Sequence, residues 1–291
     1  MAQMILCAID DSEVAGRVLV TARGLADASG ADLVAVHAVE ERDQDADHVL
    51  ALVRDRLSAT GVATDLRVVE GPPAEALIET AEREGAELLV IGSRGRGALR
   101  SAVLGSVSRE LASRAPCPVV IVPSGERWAD TEVRVDDVNA SVVCGVDGSD
   151  QALAAAALAG RLASRLGCRL VFVHARQNLR ALAAYPGASK ETPPLTGQDD
   201  AVQKLAEKII EDAEHAAGVS AVGVVEAGPP TEVLESVADR EHARLIVIAA
   251  RGVGGLRAAL LGSVAADLPA AAARPVVVLS PPAAAAARSG S

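Results

Sequence analysis

The chain has 291 residues, half of them apolar, a net charge of −11 and a pI near 5.0. That length allows two domains with real cores, and the acidic balance argues against a general nucleic-acid binder, which would carry a basic face. Trp128, Phe172 and Tyr185 are the only aromatic residues, so single strands find no stacking platform and the core must be Val, Leu, Ile and Ala.

Short apolar runs and longer stretches with helical spacing alternate along the chain. Strands are predicted at 4–9, 32–38, 63–69, 87–91 and 118–122, and helices at 13–29, 47–60, 74–84 and 106–115. Residues 124–140 are polar and charged and read as a linker. A second set of strands is predicted at 141–146, 169–174, 219–225, 244–249 and 275–279. The tail 282–291, "PAAAAARSGS", reads as disordered. Continuous apolar strands separated by helices indicate parallel sheets covered on both faces.

The two sets are copies of one unit. "ILCAIDDSE" (5–13) matches "VVCGVDGSD" (142–150), and "LVAVHA" (33–38) matches "LVFVHA" (170–175), at a shift of 137 residues. From "EGPPAEAL" (70–77) and "AGPPTEVL" (227–234) onward the shift is 157, so the second copy carries twenty extra residues, placed near 180–200. The expected domains are therefore 1–123 and 141–281. Their last strands, "PVVIV" (118–122) and "PVVVL" (275–279), are predicted sheet edges so apolar that each needs a cover.

Cys7, Cys117, Cys144 and Cys168 lack metal-ligand spacing and read as small apolar residues of a reduced protein. No apolar run approaches a membrane span and no signal peptide is visible, so a cytoplasmic location with no membrane partner is expected. His37 and His174 each end an apolar strand and read as buried structural residues.

Two Gly/Arg loops carry the chemistry. In open parallel sheets ligands bind beyond the carboxyl ends of the strands. Asp10 and Asp147 close the first strand of each copy. After the fourth strand of the first copy come Gly92, two residues, Gly95, nine residues, then Gly105 and Ser106 at a helix start. Glycine lets backbone approach a phosphate, and free N–H groups at a helix N-terminus suit an anion. Ser106 reads as the N-cap, and Arg94, Arg96 and Arg100 add charge. No G-x-x-x-x-G-K-[ST] is present, and "GRGALR" follows the fourth strand, whereas a dinucleotide fingerprint follows the first.

The strand-ending Asp of "AIDDS" and "GVDGS", the "VHA" after the second strand, the G-x2-G-x9-G-S spacing and the "PCPVVIVP" ending together resemble the universal stress proteins in their tandem form, over nearly the whole chain. The resemblance implies two tandem Rossmann-like (adenine nucleotide alpha hydrolase-like) α/β domains. Each would be a five-stranded parallel sheet of order 3-2-1-4-5 with helices on both faces. In the nucleotide-binding branch it implies ATP near Asp10 and Ala38 and on Gly92, Gly95, Gly105, Ser106, Val107 and Ser108; Arg96 is expected beside the phosphates for its charge, and Mg²⁺ is expected on them. In the second copy the matching residues are Asp147, Ala175, Gly252, Gly262, Ser263 and Val264. That copy departs from the pattern at Ala249 and Ala265, which predicts a weaker second site. The resemblance also implies antiparallel pairing of the last strands into an intrachain pseudo-dimer; a further homodimer is left open. No nucleophile–base set emerges. Three functions stay open: an ATP-sensing stress-response regulator, a slow ATPase or autokinase using Ser106 or Ser108, and a nucleotide-free scaffold.

Overall fold

The computed structural model describes residues 3–39, 46–62, 64–95, 104–125, 140–176, 198–252 and 261–289. In the first copy the elements run β1 (Met4–Ala8), α1 (Ala15–Ser29), β2 (Asp32–Val39), α2 (Ala46–Thr60), β3 (Asp65–Glu70), α3 (Pro73–Glu84), β4 (Leu88–Gly92), α4 (Ser106–Arg114) and β5 (Val119–Val122). In the second they run β6 (Ser141–Gly145), α5 (Asp150–Leu166), β7 (Arg169–Arg176), α6 (Gln198–Ala217), β8 (Val222–Ala227), α7 (Pro230–Arg240), β9 (Ala243–Ala249), α8 (Ser263–Ala271), β10 (Val276–Leu279) and α9 (Pro281–Ser289).

All ten strands join one sheet of order β3-β2-β1-β4-β5-β10-β9-β6-β7-β8, so each copy has the order 3-2-1-4-5. Every neighbouring pair within a copy is parallel. Among the described residues the one antiparallel junction is β5 with β10, where Val120 stands opposite Val277. The expected sheet edges are thus the centre of the molecule, and Val119–Val122 are fully buried. Because the junction is antiparallel, the carboxyl ends of the two strand sets face opposite ways.

Alternation along the strands fills two layers. Ile5, Cys7, Val120, Val122, Val277 and Leu279 pack with α1, α5 and α6 on one face. Leu6, Ala8, Val119, Ile121, Val276 and Val278 pack with α3, α4, α7 and α8 on the other. Pro73 and Pro230 open α3 and α7 in the first turn, where a missing N–H costs no helical bond, and Glu75 and Glu232 sit against the positive helix ends. Across the junction Arg165 of α5 pairs with Glu87 of the first copy.

The reduced-thiol reading fits the burial. Burial pushes the Cys117 thiol up to about 12 and raises Cys7 and Cys144 further, so all three are neutral packing groups. Among the described residues no helix is long and apolar enough to cross a membrane.

The tail departs from expectation. Residues 281–289 form α9 in place of a disordered segment. Ser280 is its N-cap: Oγ accepts from Ala283 N at 3.1 Å, and Pro281 and Pro282 leave no earlier amide to satisfy. Ala283 and Ala284 are buried in the core beside α5. The predicted linker lies outside the described residues apart from 124, 125 and 140, and so does the predicted insertion apart from 198–200, which begin α6.

Candidate nucleotide site

A cavity of about 410 Å³ opens at the carboxyl ends of β1, β2 and β4. Its floor is apolar: Ala8, Val18, Val36, Leu77 and Ile91 come from three strands and two helices. Its rim is polar and glycine-rich, with Asp10, Ser12, Gly92, Arg94, Gly95 and the first residues of α4. Ala38 lines the same space. All the first-copy candidates except Arg96 therefore meet at one cavity; Arg96, like Arg100, lies outside the described residues.

Asp10 is set by its own turn. Ser12 N donates to Asp10 Oδ1 at 3.0 Å, which leaves Oδ2 toward the loop after β4. A Cβ placed on Gly95 would stand 2.6 Å from that Oδ2, so only glycine lets the loop lie against the carboxylate. His37 is 1% exposed, and its Nδ1 donates to Ile9 O at 2.7 Å, tying β2 to the end of β1. That is the structural role its strand position suggested.

The helix start differs from the reading in two ways. Gly105, with extended backbone, is the N-cap; Ser106 is the first helical residue, exposed, and its hydroxyl caps nothing. The N–H groups of Ser106, Val107 and Ser108 are those an α-helix leaves without an internal partner, and all three residues line the cavity. Ser108 Oγ, expected to serve phosphate, instead donates to Gly92 O at 2.8 Å and is buried. It ties α4 to β4 and has no proton left for a ligand. A Cβ on Gly105 would meet Ser93 O at 3.2 Å and Arg94 Cα at 3.5 Å, so a side chain there would collide with the loop and not enter the anion site. Gly105 N donates to Ser93 O at 2.9 Å, which joins the start of α4 to the residue after β4.

The second copy repeats the frame. Ser149 N and Oγ both donate to Asp147 Oδ1, at 3.0 and 2.7 Å, and His174 Nδ1 donates to Val146 O at 2.9 Å. A Cβ on Gly252 would lie 2.0 Å from Asp147 Oδ2. Gly262 caps α8, and Gly262 N donates to Ala250 O at 2.8 Å. Ser263 and Val264 follow as the first helical residues, and Ala175 ends the matching stretch of β7. Ala265 is buried where Ser108 stands in the first copy, so no hydroxyl ties α8 to β9. Ala249 ends β9 in place of Gly92.

The first cavity suits a nucleotide. An apolar floor accepts a base, a fixed carboxylate accepts ribose hydroxyls, and three aligned N–H groups beside glycines accept phosphate. Among the described residues no cluster of three or more His, Cys, Asp or Glu side chains is placed to hold a metal. The floor residues Ala8, Val18, Val36, Leu77 and Ile91 escaped the sequence reading, because each looks like any other core residue of its strand or helix.

The model of the universal stress protein family matches residues 1–123 and 139–280. The chain belongs to the universal stress protein family. A universal stress protein of Mycobacterium tuberculosis is 36% identical over 211 residues, covering 72% of this chain and 67% of that protein. One from Thermus aquaticus is 37% identical over 139 residues, 42% of this chain and 99% of its own length. The fold matches solved structures of a functionally unknown Pseudomonas aeruginosa protein (TM-score 0.66, 19% identity, 99% of this chain and 96% of that one). It also matches a universal stress protein from Archaeoglobus fulgidus (TM-score 0.61, 21% identity, 94% and 97%).

Proposed function

We propose that this universal stress protein is a cytoplasmic ATP-binding regulator or sensor of the stress response, with little or no turnover. The first copy is its principal site, and the two copies act as an intrachain pseudo-dimer. The observation that carries the reading is the joining, in one cavity, of an apolar floor, the Asp10 carboxylate and the open N-terminus of α4. In it the base rests on Ala8, Leu77 and Ile91, Asp10 takes the ribose, and the N–H groups of Ser106, Val107 and Ser108 take the phosphates. Mg²⁺ rides on the phosphates, with no protein cluster required.

The regulator reading is preferred over an autokinase because the Ser108 hydroxyl is buried and already bonded. Ser106, exposed beside the cavity, keeps the autokinase as the second reading. The test is mass spectrometry of the ligand released from freshly purified, denatured protein, followed by ATP calorimetry. Adenine nucleotide and a saturable heat are expected; neither appearing would leave the scaffold reading. A mass gain of one phosphate on Ser106 after incubation with ATP would instead favour the autokinase.

A further inference from the structure

The first site is built on α4, and one anchor of α4 comes from the other domain. The helix is held at three places. Near its start, Ser108 Oγ donates to Gly92 O. In its middle, Leu111 and Ala112 are fully buried against the sheet. At its end, Ala115 is the buried C-cap, and its carbonyl accepts a hydrogen bond from Ser280 Oγ. Ser280 follows β10 in the second domain and is itself fully buried.

One hydroxyl does two jobs there. Its oxygen accepts from Ala283 N to start α9, and its proton goes to Ala115 O. The direction of that proton is therefore set by α9, which packs against α5 and also touches α4. The pseudo-symmetric bond does not exist. The residue matching Ser280 in the first domain is Pro123, whose ring has no proton to offer the end of α8. The device runs one way, from the second domain to the first.

We propose that Ser280, oriented by α9, is a positioning residue for the first nucleotide site: it fixes the far end of the helix whose N–H groups receive the phosphates. The claim rests on the ATP reading of the cavity for its ligand, but not for its helix. A buried carbonyl that loses its donor draws the helix end toward another partner. A nine-residue helix transmits that shift to its N-terminus, where anion contacts tolerate little displacement.

The experiment uses the full chain and two variants, Ser280→Ala and a chain ending at Ser280. Each is read by hydrogen exchange of the α4 amides, by thermal melting, and by calorimetry with Mg-ATP well below the melting temperature. Ser280→Ala should weaken the tighter ATP phase about fivefold, the size of one net hydrogen bond. The truncated chain should weaken it by a similar factor, and both should speed exchange in α4 but not in α8. A merely structural role would lower the melting temperature and leave the affinity of the folded protein alone. Unchanged affinity and unchanged α4 exchange in both variants, or in the truncated chain alone should Ser280→Ala not fold, overturns the proposal. Should the wild-type chain bind no ATP, the reading of the cavity fails, and the α4 exchange still decides the positioning claim.

Discussion

The helices α4 and α8 occupy the same place in two copies of one fold, yet they are held very differently. Alpha-4 has a hydroxyl tether to β4 through Ser108, a buried donor at its end in Ser280, and Ala112 in its interior. At the matching positions α8 has Ala265, Pro123 and Pro269. Pro269 has no N–H to give the carbonyl of Ala265, so α8 lacks an internal bond as well as both tethers. The glycines and the aspartate are nearly the same in the two copies. Apart from Ala249 in place of Gly92, what differs is how the helix that presents the N–H groups is anchored, and groups held in place before binding give a tighter anion site than groups that must first be ordered.

The comparison can be broken most directly at the glycines that lie against the aspartates. Gly95→Val would drive a side chain into Asp10 and push the loop off the first cavity. The tighter phase of ATP binding should fall by about tenfold or more in calorimetry. Gly252→Val, which collides with Asp147, should leave that phase intact. If Gly252→Val removes the tighter phase instead, the second site is the principal one and the ordering is reversed.

A smaller effect is expected from the tether. Ser108→Ala leaves the carbonyl of Gly92 without its donor and should cost roughly 1–3 kcal/mol of stability in a denaturant titration. It should weaken ATP only about fivefold, because the hydroxyl holds the helix and does not touch the ligand. A loss of a hundredfold or more would mean that Ser108 contacts phosphate after all.

Building the tether into the second copy sharpens the contrast. Ala265→Ser with Pro269→Ala supplies the missing hydroxyl and the missing amide. The weaker phase should tighten by about threefold to tenfold, narrowing the gap between the sites. No change would show that the anchoring of the helix is not what separates them.

The smallest effect at neutral pH comes from the buried thiols, two in the first copy (Cys7, Cys117) and one in the second (Cys144). Cys7, Cys117 and Cys144 have folded pKa values above the ordinary value of 9.0 because burial disfavours the thiolate. The unfolded chain therefore ionises first. Their contribution to stability is complete below about pH 8.5 and is lost as pH rises from there toward 12 and beyond. Denaturant midpoints should fall across that window, and Cys→Val variants at these sites should flatten the fall. In the native protein the partly exposed Cys168 should react with a thiol reagent well ahead of the other three.

Legibility in the sequence followed the range of the interaction. Alternation and apolar runs mark each strand locally, so the ten strands fall within about three residues of the predicted ranges, and repeat matching pairs the two copies. The first-copy candidates meet at the cavity because the chain brings Asp10 and the glycine loop to one end of the sheet. The role of Ser108 was not legible: its partner, Gly92 O, is known only once β4 lies beside α4. Nor was Ser106 as a first-turn residue, since Gly and Ser are both good caps and only the backbone angles of Gly105 decide. Helix α9 was hidden by its alanines, which looked like low complexity, although Ser280 followed by two prolines is a helix start in its own right.

The central position of β5 has a consequence during synthesis. The first domain can complete its own five strands once Val122 has left the ribosome. The strand that covers β5 ends at Leu279, more than 150 residues later. At about 5–20 residues per second the nascent chain carries Val119–Val122 uncovered for roughly 8–30 s. That is long enough for a chaperone, or for the same strand on a neighbouring nascent chain of the polysome, to reach it first. Slow decoding across residues 140–275 would lengthen this window without altering one residue of the finished protein.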